Sequence, residues 1–311
     1  MFASRRFPAR VREELERSFE LEVHDSEWPP TRDELLAGAV GKDGLMVMLT
    51  DRIDDELLDA AGPQLRVVAN YAVGFDNVDL DAVTRRGVVA SNTPDVLTEA
   101  TAELAIALML ALVRRVAEGD RFIRRREPWV WGPNMMLGRG LTGRVLGLVG
   151  YGRIAKAVER MAVAHRMDVI HSSRSSGVPL AELLATADVV SLHVPLGAKT
   201  HHLLDAEALA AMKPTAVLVN TSRGAVVDEE ALAKALTAGR IAGAALDVFE
   251  REPEVNEHLL ELENVVLVPH LGSATLETRE AMGMLCVEAL RAVLLEDRVP
   301  VNALNPEAAR V

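Results

Sequence analysis

The chain has 311 residues, of which 49% are hydrophobic and 26% charged, with a formal net charge of −12. That length exceeds what one hydrophobic core usually serves and points to two domains of ordinary size. The acidic balance argues against nucleic acid or an anionic membrane as partner, since both demand a basic surface.

In chain order, Met1 to Arg10 is basic but lacks the apolar stretch of a secretory signal. Phe19–Val23, Leu45–Leu49 and Leu65–Ala69 read as strands with helical stretches between them, and Gly87–Ala90 as a fourth strand. The acidic stretch Asp51 to Glu56 reads as a helix start. A long helix opens near Thr98 or Thr101, where hydroxyls and acids suit a helix N-terminus. It stays apolar through Leu112 and on nearly every face, which implies burial between domains or in a subunit interface. Its longest apolar run, Leu104 to Val113, falls well short of the ~20 residues that span a bilayer. Arg121, Arg124, Arg125 and Arg126 read as a solvated helix end. The segment from Arg124 to Thr142 reads as a loop, whose Trp129 and Trp131 either pack at a domain junction or serve a function.

From Arg144 a second alternating series begins. Strands fit Val145–Val149, Asp168–His171, Asp188–Val194, Ala216–Asn220, Ala242–Val248 and Val265–Val268, with a helix over Asp228–Ala238 among those between them. A last helix, Leu276 to Leu295, could return the chain to the first domain and make that domain discontinuous. The single cysteine, Cys286, lies in this apolar helical pattern as a buried, inert thiol. It excludes an internal disulfide and fits a reducing, cytoplasmic setting.

The strand Val145–Val149 runs straight into Gly150-Tyr151-Gly152-Arg153-Ile154-Ala155 and a helical pattern. Such glycines allow a tight turn and close approach of backbone to a pyrophosphate, whose charge meets the helix N-terminus. Ala155 takes the place of the third glycine, which the fingerprint permits. A ribose-reading acid is expected about 20 residues on if the cofactor is NAD. The second strand instead runs out as His171-Ser172-Ser173-Arg174-Ser175-Ser176, without a carboxylate. Hydroxyls and a guanidinium suit a 2′-phosphate, so NADP(H) is favoured over NAD(H).

Three later strand ends carry Asn220-Thr221-Ser222-Arg223-Gly224, then Asp247 to Pro253, then Pro269-His270-Leu271-Gly272. Open α/β sheets bind ligands at such ends. Arg223 could clamp a substrate carboxylate and polarise the adjacent carbonyl. A histidine beside a carboxylate makes a proton donor, because the anion favours the imidazolium and fixes the ring. His193 ends a strand and is expected near the adenine or the nicotinamide riboside of the cofactor. His201 and His202 form a pair with no carboxylate and no metal-type spacing, and no metal site is expected.

Those segments, with Asn70 to Asp79 and Thr93 to Glu99, resemble the D-isomer-specific 2-hydroxyacid dehydrogenase family over nearly the whole chain, and within it the glyoxylate/hydroxypyruvate reductase branch. The resemblance implies an α/β fold of two Rossmann-like, doubly wound parallel-sheet domains with an active-site cleft between them. Residues 1–97 with 283–311 would form a flavodoxin-like substrate-binding domain and residues 98–282 the dinucleotide-binding domain. It implies reduction of a small 2-keto acid to the D-2-hydroxy acid by a homodimer, with Arg223, Glu252 and His270 catalytic. Thr101, Gly150, Tyr151, Gly152, Arg153, Ile154, Ser173, Arg174, Ser175, Val194, Pro195, Thr200, Thr221, Ser222, Asp247 and Gly272 would surround the cofactor. Leu49, Val73 and Gly74, with Arg223 and a partner subunit's Trp131 loop, would bind substrate.

The same architecture serves phosphoglycerate and other D-2-hydroxy acids, although 311 residues leave no room for the extra regulatory domain of many phosphoglycerate dehydrogenases. The reading from another class is a non-enzymatic, cofactor-sensing co-repressor. The complete Arg, Glu and His set weighs against it, as does the lack of a basic or disordered appendage.

Overall fold

Two parallel sheets organise the chain, whose structure here is a computed structural model describing residues 1–26 and 28–308. The first unit comprises Met1–Leu97 and Thr275–Val311, the second Thr98–Ala274. The return to the first unit falls at Thr275 rather than at the expected 283. Thr275 is the N-cap of the returning helix, so that helix belongs whole to one unit.

The first unit holds β1 (Phe2–Ala3), β2 (Glu22–Val23), β3 (Gly44–Val47), β4 (Val67–Asn70) and β5 (Val89–Ser91) in the order β2-β1-β3-β4-β5. Strands β3, β4 and β5 are buried at every residue, the pattern of a sheet covered on both faces. Between them run α1 (Ala9–Ser18), α2 (Arg32–Ala39), α3 (Asp55–Ala61) and α4 (Leu80–Arg85). Strand β1 was not expected from the sequence: two residues beside a run of arginines give no periodic signal, and pairing with both β2 and β3 makes the strand. Helix α3 begins only at Asp55, capped by Asp54. Asp51, read as part of that start, is instead buried, accepting the Ser4 hydroxyl and the Met48 N–H at 2.7 Å.

The second unit follows through α5 (Thr98–Val113), α6 (Val116–Arg124), β6 (Val145–Val149), α7 (Arg153–Ala164), β7 (Asp168–Ser172), α8 (Leu180–Thr186), β8 (Val189–Leu192), α9 (Ala206–Ala211), β9 (Val217–Asn220), α10 (Glu229–Thr237), β10 (Gly243–Leu246), α11 (Glu257–Leu260) and β11 (Val265–Leu267). Its sheet runs β7-β6-β8-β9-β10-β11. Alternate residues of one strand enter two cores, as the two-residue strand period requires. Val190, Leu192, Leu218 and Leu246 face α8 to α10, whereas Leu146, Leu148, Val189 and Val219 face α5 and α7. The apolar helix α5 is buried in the second of these cores. The last helix, α12 (Leu276–Leu294), closes the first unit, where Cys286 is buried and its thiol pushed up by burial. Among the described residues, no helix is long and apolar enough to cross a membrane.

The arginine cluster is solvated and paired: Arg121 and Arg125 bond Glu263, and Arg124 bonds Asp120 at 2.7 Å. The segment after α6 is irregular as far as β6, with Trp131 81% exposed.

Candidate active site

Strand register sets the site. Val149 pairs with Leu192, Leu192 with Asn220, Asn220 with Leu246 and Leu246 with Leu267. The residues that follow, Gly150, His193, Thr221, Asp247 and Val268, therefore leave the sheet along one carboxyl edge. Strand order reverses beside β6, and ligands of open α/β sheets enter at such an edge and switch point.

Gly150 takes a left-handed φ of +88°, and a Cβ on it would lie 2.5 Å from the His193 carbonyl oxygen. Only glycine makes this turn. Gly152 caps α7 with no side-chain hydrogen bond, and a Cβ there would meet nothing within 4 Å. The first turn of a 12-residue helix thus presents N–H groups and its positive dipole end to open space. Tyr151 turns aside and stacks on His171, ring centroids 3.7 Å apart. Beyond β7, the Ser173 hydroxyl receives the Ser176 N–H at 3.0 Å and closes a tight turn. Arg174 and Ser175 sit exposed on it, with no carboxylate from residue 171 to 177.

Asn220 shapes the end of β9. Buried to 1% exposure, it accepts the Ser222 N–H at 3.0 Å and donates to the Arg223 carbonyl at 2.9 Å. Arg223 is half-buried and donates to the Ser222 carbonyl at 2.8 Å. A Cβ on Gly224 would fall 1.9 Å from the Phe249 carbonyl carbon, so the backbone after Arg223 lies directly on the segment that leads to Glu252. Glu252 Oε1 accepts the Phe249 N–H at 3.0 Å, and Oε2 lies 2.8 Å from His270 Nδ1. Burial pushes the Glu252 carboxyl up. The His270 hydrogen bond and charge, the Phe249 N–H and the Arg223 charge outweigh burial and hold it below the usual glutamate range.

His270 takes a left-handed φ of +53°, uncommon for a residue with a side chain and stable only where neighbours enforce it. Asp247 enforces it. Its carbonyl accepts the His270 N–H at 2.8 Å, and its carboxylate accepts the N–H groups of Leu271 and, at 2.8 Å, Gly272. Thr101 of α5 bonds the Gly272 carbonyl at 3.0 Å. Thr101, Asp247 and Gly272 thus form the support of His270. Asp247→Ala strands two N–H groups and lowers the unfolding free energy by about 2–4 kcal/mol. Denaturant unfolding measures this, and a loss under about 0.5 kcal/mol would contradict the support.

The surroundings of three histidines follow from the geometry. His193 follows β8 with Nε2 2.9 Å from the Ser191 hydroxyl, and burial lowers its ring to about 4, which keeps the imidazole neutral at pH 7. The pair His201–His202, read from the sequence as lacking a carboxylate, has one. His202 Nε2 lies 2.9 Å from Glu250 Oε1, a partner 48 positions along the chain that sequence spacing could not reveal. Sequence reasoning also missed Asn220 and Glu229. Glu229 is buried, its carboxyl raised by that burial, and it accepts the Glu250 N–H. A polar residue ending an apolar strand was the available signal for Asn220.

Residues 106–272 match the family described as "D-isomer specific 2-hydroxyacid dehydrogenase, NAD binding domain". The chain is 45% identical to a glyoxylate reductase of Thermococcus litoralis, over 99% of this chain and 97% of that one. A solved protein of Thermus thermophilus shares 46% identity at a TM-score of 0.93, covering 97% of this chain and 99% of that one. An NADPH-dependent glyoxylate/hydroxypyruvate reductase of Sinorhizobium meliloti, solved with NADP and malonate, shares 34% identity at a TM-score of 0.84, covering 100% and 98%. The chain belongs to the D-isomer specific 2-hydroxyacid dehydrogenase family.

A dinucleotide, the cofactor of 2-hydroxyacid dehydrogenases, fits the residues present. The uncapped α7 N-terminus suits a pyrophosphate. The Thr221 hydroxyl, buried at this same edge, has no protein partner, an arrangement that a ligand satisfies. Val194, Pro195 and Thr200 lie on the loop after β8, with the Thr200 hydroxyl donating to the Pro195 carbonyl at 2.6 Å. Leu49, Val73 and Gly74 belong to the first unit, where they follow β3 and β4. There Asn92 donates to the Val73 carbonyl at 2.8 Å and Asn70 to the Gly74 carbonyl at 2.9 Å.

Proposed function

We propose that the chain reduces glyoxylate, hydroxypyruvate or a similar small 2-keto acid to the D-2-hydroxy acid, using NADP(H) in preference to NAD(H). The observation that carries this reading is the His270–Glu252 pair, held at 2.8 Å beside Arg223 at the carboxyl edge that also bears the glycine turn. Relatives named for glyoxylate and hydroxypyruvate reduction support the substrate class.

A bound reduced nicotinamide supplies the hydride that reaches the carbonyl carbon. Arg223 pairs with the keto acid and draws electron density toward the carbonyl oxygen. His270 has Nδ1 committed to Glu252, which leaves Nε2 to give its proton to that oxygen as the hydroxyl forms. Glu252 keeps the ring oriented, with Nδ1 held at 2.8 Å. In the first unit, the N–H groups of Val73 and Gly74 are assigned to the substrate carboxylate and Leu49 to its pocket. Unit 1 is the substrate domain and unit 2 the dinucleotide domain. The exposed Trp131 loop is assigned to a second subunit of a homodimer.

Initial rates with glyoxylate, hydroxypyruvate, pyruvate and phosphohydroxypyruvate, each with NADPH and NADH, test the reading. Turnover is expected with the first two, faster with NADPH, and no turnover of any 2-keto acid overturns it. Arg174→Ala removes a charge-assisted contact to the 2′-phosphate and raises KM for NADPH about 10-fold or more, leaving KM for NADH little changed. Equal effects on both cofactors would remove Arg174 from the phosphate.

The depressed Glu252 carboxyl has a pH signature. Its folded value lies below its unfolded one, so the ionised pair contributes stability above the unfolded value of ~4.3 and loses it as pH falls through the folded value. Glu252→Gln is therefore less stable than the parent at pH 7, and the gap narrows below about pH 4.3. A gap independent of pH would remove the ion pair from the account.

A further inference from the structure

We propose that His201, His202 and Glu250 form a site for a divalent transition metal such as Zn2+, separate from the residues assigned to the reaction. Their ligand atoms all lie within 4.8 Å of one another, the one such group among the described residues. Zn–N and Zn–O bonds near 2.1 Å place two donors of one tetrahedral ion about 3.4 Å apart. The His202–Glu250 pair at 2.9 Å opens slightly to that spacing, and the most distant pair closes by about 1.4 Å, within reach of small side-chain rotations.

Neighbouring residues in extended chain point to opposite sides. Here His202 adopts a left-handed φ of +49°, and the two imidazoles come to one side with ring centroids 4.1 Å apart. The loop is fixed in that form by the His202 N–H on the Ala225 carbonyl at 2.8 Å and the Leu204 N–H on the Val226 carbonyl at 3.0 Å. Glu250 is fixed from the other side, its N–H donating to buried Glu229. Both ligand-bearing segments are therefore set before any ion arrives. His202 and Glu250 are half-buried and His201 is exposed, so an ion has an approach from solvent and water completes its coordination. Two imidazoles and one carboxylate suit Zn2+, Co2+, Ni2+ or Cu2+ rather than Mg2+ or Ca2+. Glu250 lies two positions before Glu252 and against the backbone of Gly224, so a bound ion ties the 201–202 loop to the segment that supports the proton donor.

The test titrates chelator-treated full chain with ZnCl2 by calorimetry and with CoCl2 by visible absorption. One equivalent of Zn2+ is expected, and Co2+ gives the intense d–d bands of a tetrahedral site. His201→Ala, at an exposed position with least bearing on folding, and Glu250→Gln each weaken Zn2+ binding at least 10-fold and abolish those bands, while His258→Ala changes neither. These readouts need no turnover, so they stand apart from the reductase reading. Absence of saturable uptake in the parent overturns the site, as does unchanged affinity in His201→Ala with a parental thermal midpoint in chelator.

Discussion

His270→Ala lowers kcat/KM for keto-acid reduction by about 10²–10⁴-fold, the range for loss of a positioned general acid. The effect falls mainly on kcat, because the imidazole gives up its proton only as the hydroxyl forms and contributes little to holding the ground state. Ala is strained at the left-handed φ of +53° that His270 occupies. His270→Asn removes that ambiguity, since Asn tolerates this region and carries no transferable proton. Both variants should bind NADPH with near-parental affinity in a fluorescence titration. A kcat/KM within threefold of the parent in either variant would remove His270 from the chemistry.

Gly224→Ala is expected to cost about 3–5 kcal/mol of stability and most of the activity. The new methyl would stand 1.9 Å from the Phe249 carbonyl carbon and 2.3 Å from the Glu250 nitrogen, both of them backbone atoms that no rotamer change can move. Relief requires separating the segment that carries Arg223 from the segment that carries Glu252, so stability and kcat/KM fall together. Denaturant unfolding and steady-state kinetics on one preparation check this. Near-parental values in both would show that the two segments are not packed as described.

Most of the strands were legible because a sheet covered on both faces demands continuous apolar runs, and Val145–Val149 or residues 216–219 supply them with no polar break. The glycine turn was legible because its conformation admits no other residue at Gly150. Legibility failed where long-range geometry decides. Phe2–Ala3 is a strand only through its two neighbours. Asp51 looked like a helix start and is a buried acceptor, because its partners Ser4 and Met48 come from elsewhere in the fold. Asp247, expected around the cofactor, spends its carboxylate on the turn beneath His270. The His202–Glu250 pairing depends on a left-handed backbone that histidine does not announce.

The late return of α12 gives the two units different histories during synthesis. The second unit is one uninterrupted stretch of 177 residues, counting from 98 to 274, and has its whole sheet as soon as it leaves the ribosome. The first unit does not. Gly44 of β3 packs against Leu290 and Leu294, Gly283 against Val11, and Arg291 bonds Ser18 at 2.8 Å, all across the interruption. At roughly 5–20 residues per second, β3 and α1 wait on the order of 12–55 s for that helix to be complete. During that interval residues 1–97 expose apolar strand surface, and it is there that a chaperone has something to hold.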